Sequence, residues 1–309
     1  MIHSKHDTLL LTQQDYSEFT GVACILMALR WNKTEKRSKK CVNNWFAVSS
    51  QKSKYGMSQN LSQEEFCVRK EILKLLGTKS IWSIDLLIAL YKLTNANHDI
   101  SRPMTFPLSL LFCSANLGVD ENYSNFTYYE TSFAKDKFRV DKRFQLAKTL
   151  EIPMYLISNK IKGEPSAILL QHVINLLNRK DCIAIALIDN NILLRLQNAK
   201  EDNSDIIRPE DQPLETTCPY SGHYIILLGI STDISDIEIA IKNENGNIDD
   251  DEGYYFNECS PSSCIVITNP GSRKAVDYLT ATHFESAWKS EGTDQDIIFL
   301  RQNGNNQLI

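Results

Sequence analysis

Residues Cys182–Ile188, CIAIALI, form an unbroken apolar run with Asp181 before it and Asp189 after it. A short run of this kind between polar flanks is what a central strand looks like when both of its faces are covered. His223–Ile230 reads as a second such strand. Ile192–Leu196, Ile237–Lys242, Cys264–Thr268 and Asp296–Leu300 are predicted to add further strands, so the second half of the chain is β-rich. The first half has a different period. Val22, Ile25, Leu26 and Leu29 recur at helical spacing, as do Ile81, Ile84, Leu87, Ile88 and Tyr91, and later Val140, Phe144, Ala147 and Leu150. Strands are expected within 104–117 and over Ile152–Ile157, and a helix over Ser166–Leu177. Thr282 and Glu285 are spaced as a capping box for a further helix. Helices first and strands second argue an α+β fold rather than alternating βαβ units.

Composition narrows the function classes. A formal net charge of −5 argues against a general nucleic-acid binder. No stretch approaches the roughly 20 apolar residues of a membrane-spanning helix, and the three leucines at 9–11 are too short a core for a signal peptide. The eight cysteines include no CxxC pair and no zinc-site spacing. The expectation is a soluble, intracellular and cytoplasmic protein without a resident metal or cofactor, folded as one domain over 1–309. The lysine-rich stretch at 33–54 and the acidic one at 249–252 read as solvated insertions, and 301–309 as a disordered tail.

The stretch from Gln13 to Arg30 offers the first chemistry. Thr20 and Gly21 are expected to open its helix, with the Thr20 hydroxyl as cap. Thiol hydrolases place a cysteine at such a helix start, where the unpaired N–H groups lower its pKa. Here a threonine stands there. Four positions can be arranged as a thiol-hydrolase constellation: Gln14 as oxyanion donor, Thr20 at the nucleophile position, His223 as base and Asn269 to orient the base. Against this, a lone histidine at a strand edge is more often structural. Asp294 and Asp296 are spaced like a pair, yet a turn before a strand explains them equally well. There is no glycine-rich phosphate loop.

Several segments carry a resemblance: QQDYSEFTGVAC at 13–24, TKSIWSIDL at 78–86, SANLGVDENYSNFTYYETSF at 114–133 and RVDKRFQLAK at 139–148. SGHYIILLGI at 221–230, TNPGSRK at 268–274 and SEGTDQDIIF at 290–299 continue it collinearly. On these residues the chain resembles the guanylyl cyclase domain-containing protein 1 family, itself similar to the bacteriocin-processing (C39-like) papain-fold cysteine peptidases. The resemblance implies a papain-like cysteine-protease fold, its helical N-terminal half packed on a C-terminal antiparallel sheet, with insertions at about 32–66 and 243–262. It also implies that Gln14, His223 and Asn269 match the glutamine, histidine and orienting positions, Asn269 replacing an aspartate. Thr20 falls on the nucleophilic cysteine, Phe19 on the aspartate before it, and Cys24 on a second cysteine. The expected function is then a catalytically impaired peptidase relative holding a peptide, protein or small ligand in its cleft. The alternatives are a cyclase converting GTP to cyclic GMP with Mg or Mn, as the family name implies, and a residual thiol hydrolase acting through Cys24.

Overall fold

The structure is a computed structural model that describes residues 16–33, 63–95, 108–125, 133–157, 170–179, 181–198, 220–245, 262–272 and 276–302. The two apolar runs form the middle of one open sheet. β3 (Cys182–Asp189) pairs antiparallel with β4 (Gly222–Ser231), Ala186 standing opposite Ile225. On the other side of β3 lie β7 (Ile297–Gln302), then β1 (Leu108–Ser114), then β2 (Met154–Leu156). Beyond β4 come β5 (Cys264–Thr268) and β6 (Asp277–Leu279), giving the order β2-β1-β7-β3-β4-β5-β6.

The sheet is mixed, because β1 and β2 run parallel while the other neighbours are antiparallel. This corrects the expectation of an antiparallel sheet supplied by the C-terminal half. β1 comes from the helical half, and its LSLLFCS sequence is buried at both parities, which suits a place inside a sheet and not at its edge.

Helices cover both faces. α1 (Tyr16–Lys33), α2 (Gln63–Leu76), α3 (Ser83–Asn95) and α4 (Phe133–Thr149) lie over the face carrying Phe112, Ile185, Tyr224, Ile226 and Ile298. Gly77 ends α2 in a left-handed conformation (φ 64°) that glycine adopts without strain. α5 (Leu170–Leu177), α6 (Asn190–Asn198) and α8 (Ala281–Trp288) lie over the opposite face, packing Val173, Leu193, Phe284 and Trp288 on Ala184, Ile225, Ile267 and Phe299. α7 (Ile234–Asn245) sits against β5 and β6 through Ile237, Ala240 and Cys264. The molecule is therefore a mixed α+β protein built on a seven-stranded open sheet. No helix among the described residues is long and apolar enough to cross a membrane.

Two expected strands are helices. Ile192–Leu196 falls in α6 and Ile237–Lys242 in α7, and both are decided by a carboxylate at the helix start. Asp189 Oδ1 accepts from the Asn191 N–H at 3.0 Å, and Asp233 Oδ1 from the Ser235 N–H at 2.9 Å. These caps outweigh an apolar alternation that reads as strand. The cap of α8 is Thr280, whose hydroxyl accepts from the His283 N–H, and not Thr282. β7 runs on through Arg301 and Gln302, so these two are not tail. Arg301 Nε donates to Asp181 Oδ2 at 2.6 Å, and the Gln302 amide donates to the Trp31 carbonyl at 2.8 Å. Residues 34–62, 246–261 and 303–309, which hold most of the expected insertions and tail, lie outside the described residues.

Candidate functional site

His223 is the second residue of β4 and is buried. Side chains alternate along the strand: Tyr224 and Ile226 face α1–α4, whereas Ile225 and Leu227 face the other layer. His223 shares the parity of Ile225. Asn269 follows β5 at the parity of Ile265 and Ile267, so it stands on the same side. The two side chains meet there, His223 Nε2 lying 2.7 Å from Asn269 Oδ1. The orientation of the amide is set locally. Asn269 Oδ1 also accepts from the Gly271 N–H at 2.8 Å, inside a turn closed by Ser272 N–H to Asn269 O at 2.9 Å. An oxygen that already accepts one N–H must meet the imidazole as an acceptor too, so the proton of the neutral ring sits on Nε2. Nδ1 is left as the basic nitrogen. Burial pulls the His223 pKa below its ordinary value, and the Asn269 bond opposes that pull only in part. The ring is neutral at neutral pH. A Cβ at Gly271 would lie 3.1 Å from His223 Cε1 and 3.2 Å from Asn269 Oδ1, so a side chain there would press on the pair.

Thr20 comes to this end of the sheet on α1 and is buried. The helix starts a turn upstream at Tyr16, so Thr20 does not cap it. Nothing in Tyr-Ser-Glu-Phe breaks a helix, and the hydroxyl has a partner elsewhere. Thr20 Oγ1 accepts from the backbone N–H of Tyr224 at 3.4 Å, which sets it against the peptide bond joining His223 to Tyr224. Gly21 beside it packs closely on the neighbouring side chains, where a Cβ would come within 2.9 Å of Leu86 Cδ2 and 3.3 Å of Tyr224 Cδ2. Thr20 thus touches the backbone of β4 next to His223, and Asn269 meets the His223 side chain. Gln14 lies outside the described residues. Cys24, one turn after Thr20, is fully buried, and burial pushes its thiol far above the ordinary range. A buried neutral thiol is a poor nucleophile.

A second polar group gathers at the same end of the sheet and was not assembled from the sequence. Asp294 Oδ1 accepts from the Tyr123 hydroxyl at 2.6 Å and the Asn116 amide at 2.7 Å, and the same amide nitrogen stands 3.5 Å from Asp120 Oδ2. Asp294 and Gln295 are both left-handed, at φ 51° and 53°. Asp296 follows at the parity of Ile298, towards Ser114 and Ser83, and its backbone carbonyl accepts from the Leu187 N–H at 3.1 Å. Burial raises the Asp294 pKa to about 6. Burial, reinforced by the neighbouring Asp294, raises that of Asp296 to about 8. Ser83 Oγ lies 3.3 Å from the Tyr224 hydroxyl, so a polar path joins Asp296 to the strand that carries His223. The sequence signal for this group was the Asp294/Asp296 spacing alone.

Asp85, at the start of α3, differs. Its carboxylate meets Arg139 Nη1 at 2.5 Å and Arg143 Nε at 3.2 Å, and accepts from the Trp82 N–H at 3.0 Å. Asp85 is thereby committed to arginine. No three His, Cys, Asp or Glu side chains among the described residues come close enough together to hold a metal ion.

Comparison with known proteins adds the family. The family described as guanylylate cyclase matches over residues 54–300, which is most of the chain. The chain belongs to the guanylylate cyclase family. The match includes His223, Asn269, Asp85, Asp120, Asp294 and Asp296 and leaves Gln14 and Thr20 outside it. A curated relative, guanylyl cyclase 1 of Arabidopsis thaliana, is 24% identical over 242 residues, covering 78% of this chain and 68% of the relative. No solved structure matches.

Proposed function

We propose that this chain is a binding protein with a papain-like cleft that keeps the base and its orienting residue but has no thiol nucleophile, and that a peptide, protein segment or small ligand occupies the cleft. The observation that carries the reading is the His223–Asn269 bond, with Gly271 fixing the amide and Thr20 set against the same strand. That arrangement leaves a basic Nδ1 on a neutral imidazole, able to accept a hydrogen bond from a ligand N–H or O–H. A hydrolase of this plan needs a thiolate, and Thr20 has a hydroxyl with no anion accessible near neutral pH and a β-branch that restricts its rotamer. Threonine nucleophiles use their own N-terminal amine as base, and Thr20 is internal. Cys24 cannot replace it from within the core.

The test is Thr20→Cys in a Cys67→Ser background, because Cys67 is an exposed free cysteine. Alkylation by iodoacetamide is mapped residue by residue by mass spectrometry. The introduced thiol should react faster than Cys24 and lose that advantage when His223→Ala is added. An inert thiol in a folded variant overturns the cleft assignment.

A second reading is favoured by the family's description and by the name of the Arabidopsis relative: a cyclase taking GTP to cyclic GMP with Mg or Mn. The described residues do not fit a metal-dependent version, since Asp85 is held by arginines and Asp294 Oδ1 already accepts from Tyr123 and Asn116. Incubating the purified chain with GTP and Mn²⁺ or Mg²⁺ and assaying cyclic GMP decides it. Product that persists in His223→Ala places the reaction away from the papain-like cleft.

A further inference from the structure

We propose that Asp120, Asp294 and Asp296, with Asn116, Tyr123 and Trp82 around them, form a receptor for an organic cation bearing several N–H donors, such as the guanidinium of an arginine side chain. Three carboxylates gather here, and no lysine, arginine or histidine pairs with any of them among the described residues. Several other acids have a counter-charge: Asp85 and Asp136 have Arg139, Asp181 has Arg301, and Glu121 has Lys137. The buried Asp189 has none and instead accepts from the Asn191 and Ser221 N–H groups and the Ser290 hydroxyl. The acid cluster alone would be no more than a polar turn.

The independent observation is Asp296. It is only 7% exposed, and its Oδ1 is buried without a hydrogen-bond partner. A buried carboxylate oxygen left unpartnered beside a second carboxylate invites a donor. A compact metal ion does not fit, because among the described residues no three His, Cys, Asp or Glu side chains come close enough together to hold one; the three carboxylates are spread more widely and suit a larger cation. The donors already on Asp294, a hydroxyl and an amide, also match an N–H ligand better than a metal shell.

The surroundings suit a delocalised cation. Residues 115–120 are all partly exposed, so the cluster opens to solvent on the β1 side. Trp82 and Tyr123 stand beside it with ring centroids 6.5 Å apart and planes at 44°. An aromatic face next to carboxylates is favourable for guanidinium, which stacks and donates in one plane. The place in the fold matters as well. The segment 294–296 leads into β7 and His223 is the second residue of β4, and the two flank the same end of β3. Two strand spacings, roughly 10 Å, separate them, which a few extended residues span. Taking the cation as a side chain of a cleft-bound peptide rests on the function proposed above; the cation site itself does not.

The experiment is calorimetric titration of the full chain with agmatine, and with the acetylated, amidated peptide Gly-Gly-Arg-Gly-Gly and its norleucine counterpart. Both cations should bind at pH 8.5 and weaken about tenfold or more at pH 5, where protons compete for the carboxylates. The norleucine peptide should not bind. Asp120→Asn, which keeps a side-chain oxygen for the Asn122 N–H at 2.9 Å, should weaken agmatine, and so should Asp294→Asn if its melting curve shows it folded. Asp189→Asn should leave binding unchanged. Absence of agmatine binding at pH 8.5, or binding indifferent to Asp120→Asn, overturns the site. Binding of GMP in place of agmatine overturns the cation assignment. Agmatine binding without peptide binding refutes the peptide ligand and leaves the cation site standing. Loss of both, with Thr20→Cys still reactive, refutes the site and leaves the cleft reading standing.

Discussion

Asp85 and Asp296 are both buried acids, both close to Ser83, and the protein treats them in opposite ways. Asp85 is clamped by Arg139 and Arg143 and tied to the Trp82 N–H, so it fastens α3 to α4. Asp296 has another carboxylate for a neighbour, the Ser83 and Ser114 hydroxyls nearby and no cation among the described residues. Burial raises both pKa values, but at Asp85 two guanidinium groups pull against it, and at Asp296 Asp294 adds to it. The difference separates a structural carboxylate from one that stays responsive: the first has its charge satisfied inside the chain, while the second satisfies it with a proton or with something brought from outside.

The largest effect should come from breaking the clamp. Arg139→Ala leaves Asp85 and Asp136 buried with less counter-charge, and should cost about 3–5 kcal/mol in urea unfolding, the range for a buried pair stripped of one partner. Asp85→Asn with Arg139→Met should recover much of that loss, because the buried charges go together. If the single and double replacements are equally damaging, the clamp is not what holds α3 on α4.

Next in size is the response of Asp296 to pH. Its folded pKa lies above the unfolded value, so the neutral form stabilises the fold fully below about pH 4. That contribution is lost as pH rises through about 6 for Asp294 and about 8 for Asp296. Asp296→Asn should therefore raise the stability at pH 9 by about 1 kcal/mol or more and change little at pH 4. Thermal melts at the two pH values measure it, at about 3 °C per kcal/mol for a chain of this size. A variant that loses stability equally at both values would make Asp296 a structural group like Asp85.

The two acids also show how far the sequence could be read. The centre of the sheet was legible because CIAIALI and HYIILLGI are apolar at both parities, and only a covered strand needs that. Ile192–Leu196 and Ile237–Lys242 were misread because apolar alternation is not unique to strands. What decided them was one hydrogen bond each from Asp189 and Asp233 to a backbone N–H, and pattern averaging passes over such a cap. Thr20 was placed at a helix start because it is a good cap, yet the helix runs back to Tyr16 and the hydroxyl turns to Tyr224. His223 and Asn269 were legible through the resemblance, since each stands at the end of a recognisable strand. The surroundings of Asp294 were not. Asn116, Asp120 and Tyr123 reach it only because β1 inserts beside β7, a pairing across most of the chain with no local signature.

His223–Asn269 adds a third way of holding a buried titratable group, with a neutral partner, and it should give the smallest change. Asn269→Ala removes a bond worth about 1 kcal/mol. It also removes the one contact that favours the charged ring, so the imidazole titration followed by NMR should move further down from its already lowered position. The sign for stability is opposite to that of Asp296. A histidine whose folded pKa is depressed binds protons more readily when unfolded, so its contribution is present above the unfolded value near 6.5 and is lost as pH falls below it. His223 thus weakens the fold on the acid side and Asp296 on the alkaline side. Asn269→Ala should steepen the acid limb and leave the alkaline one alone, and Asp296→Asn should do the reverse. A change on the wrong limb in either variant would mean that the Ser83–Tyr224 path couples the two ends of the site more strongly than its 3.3 Å contact implies.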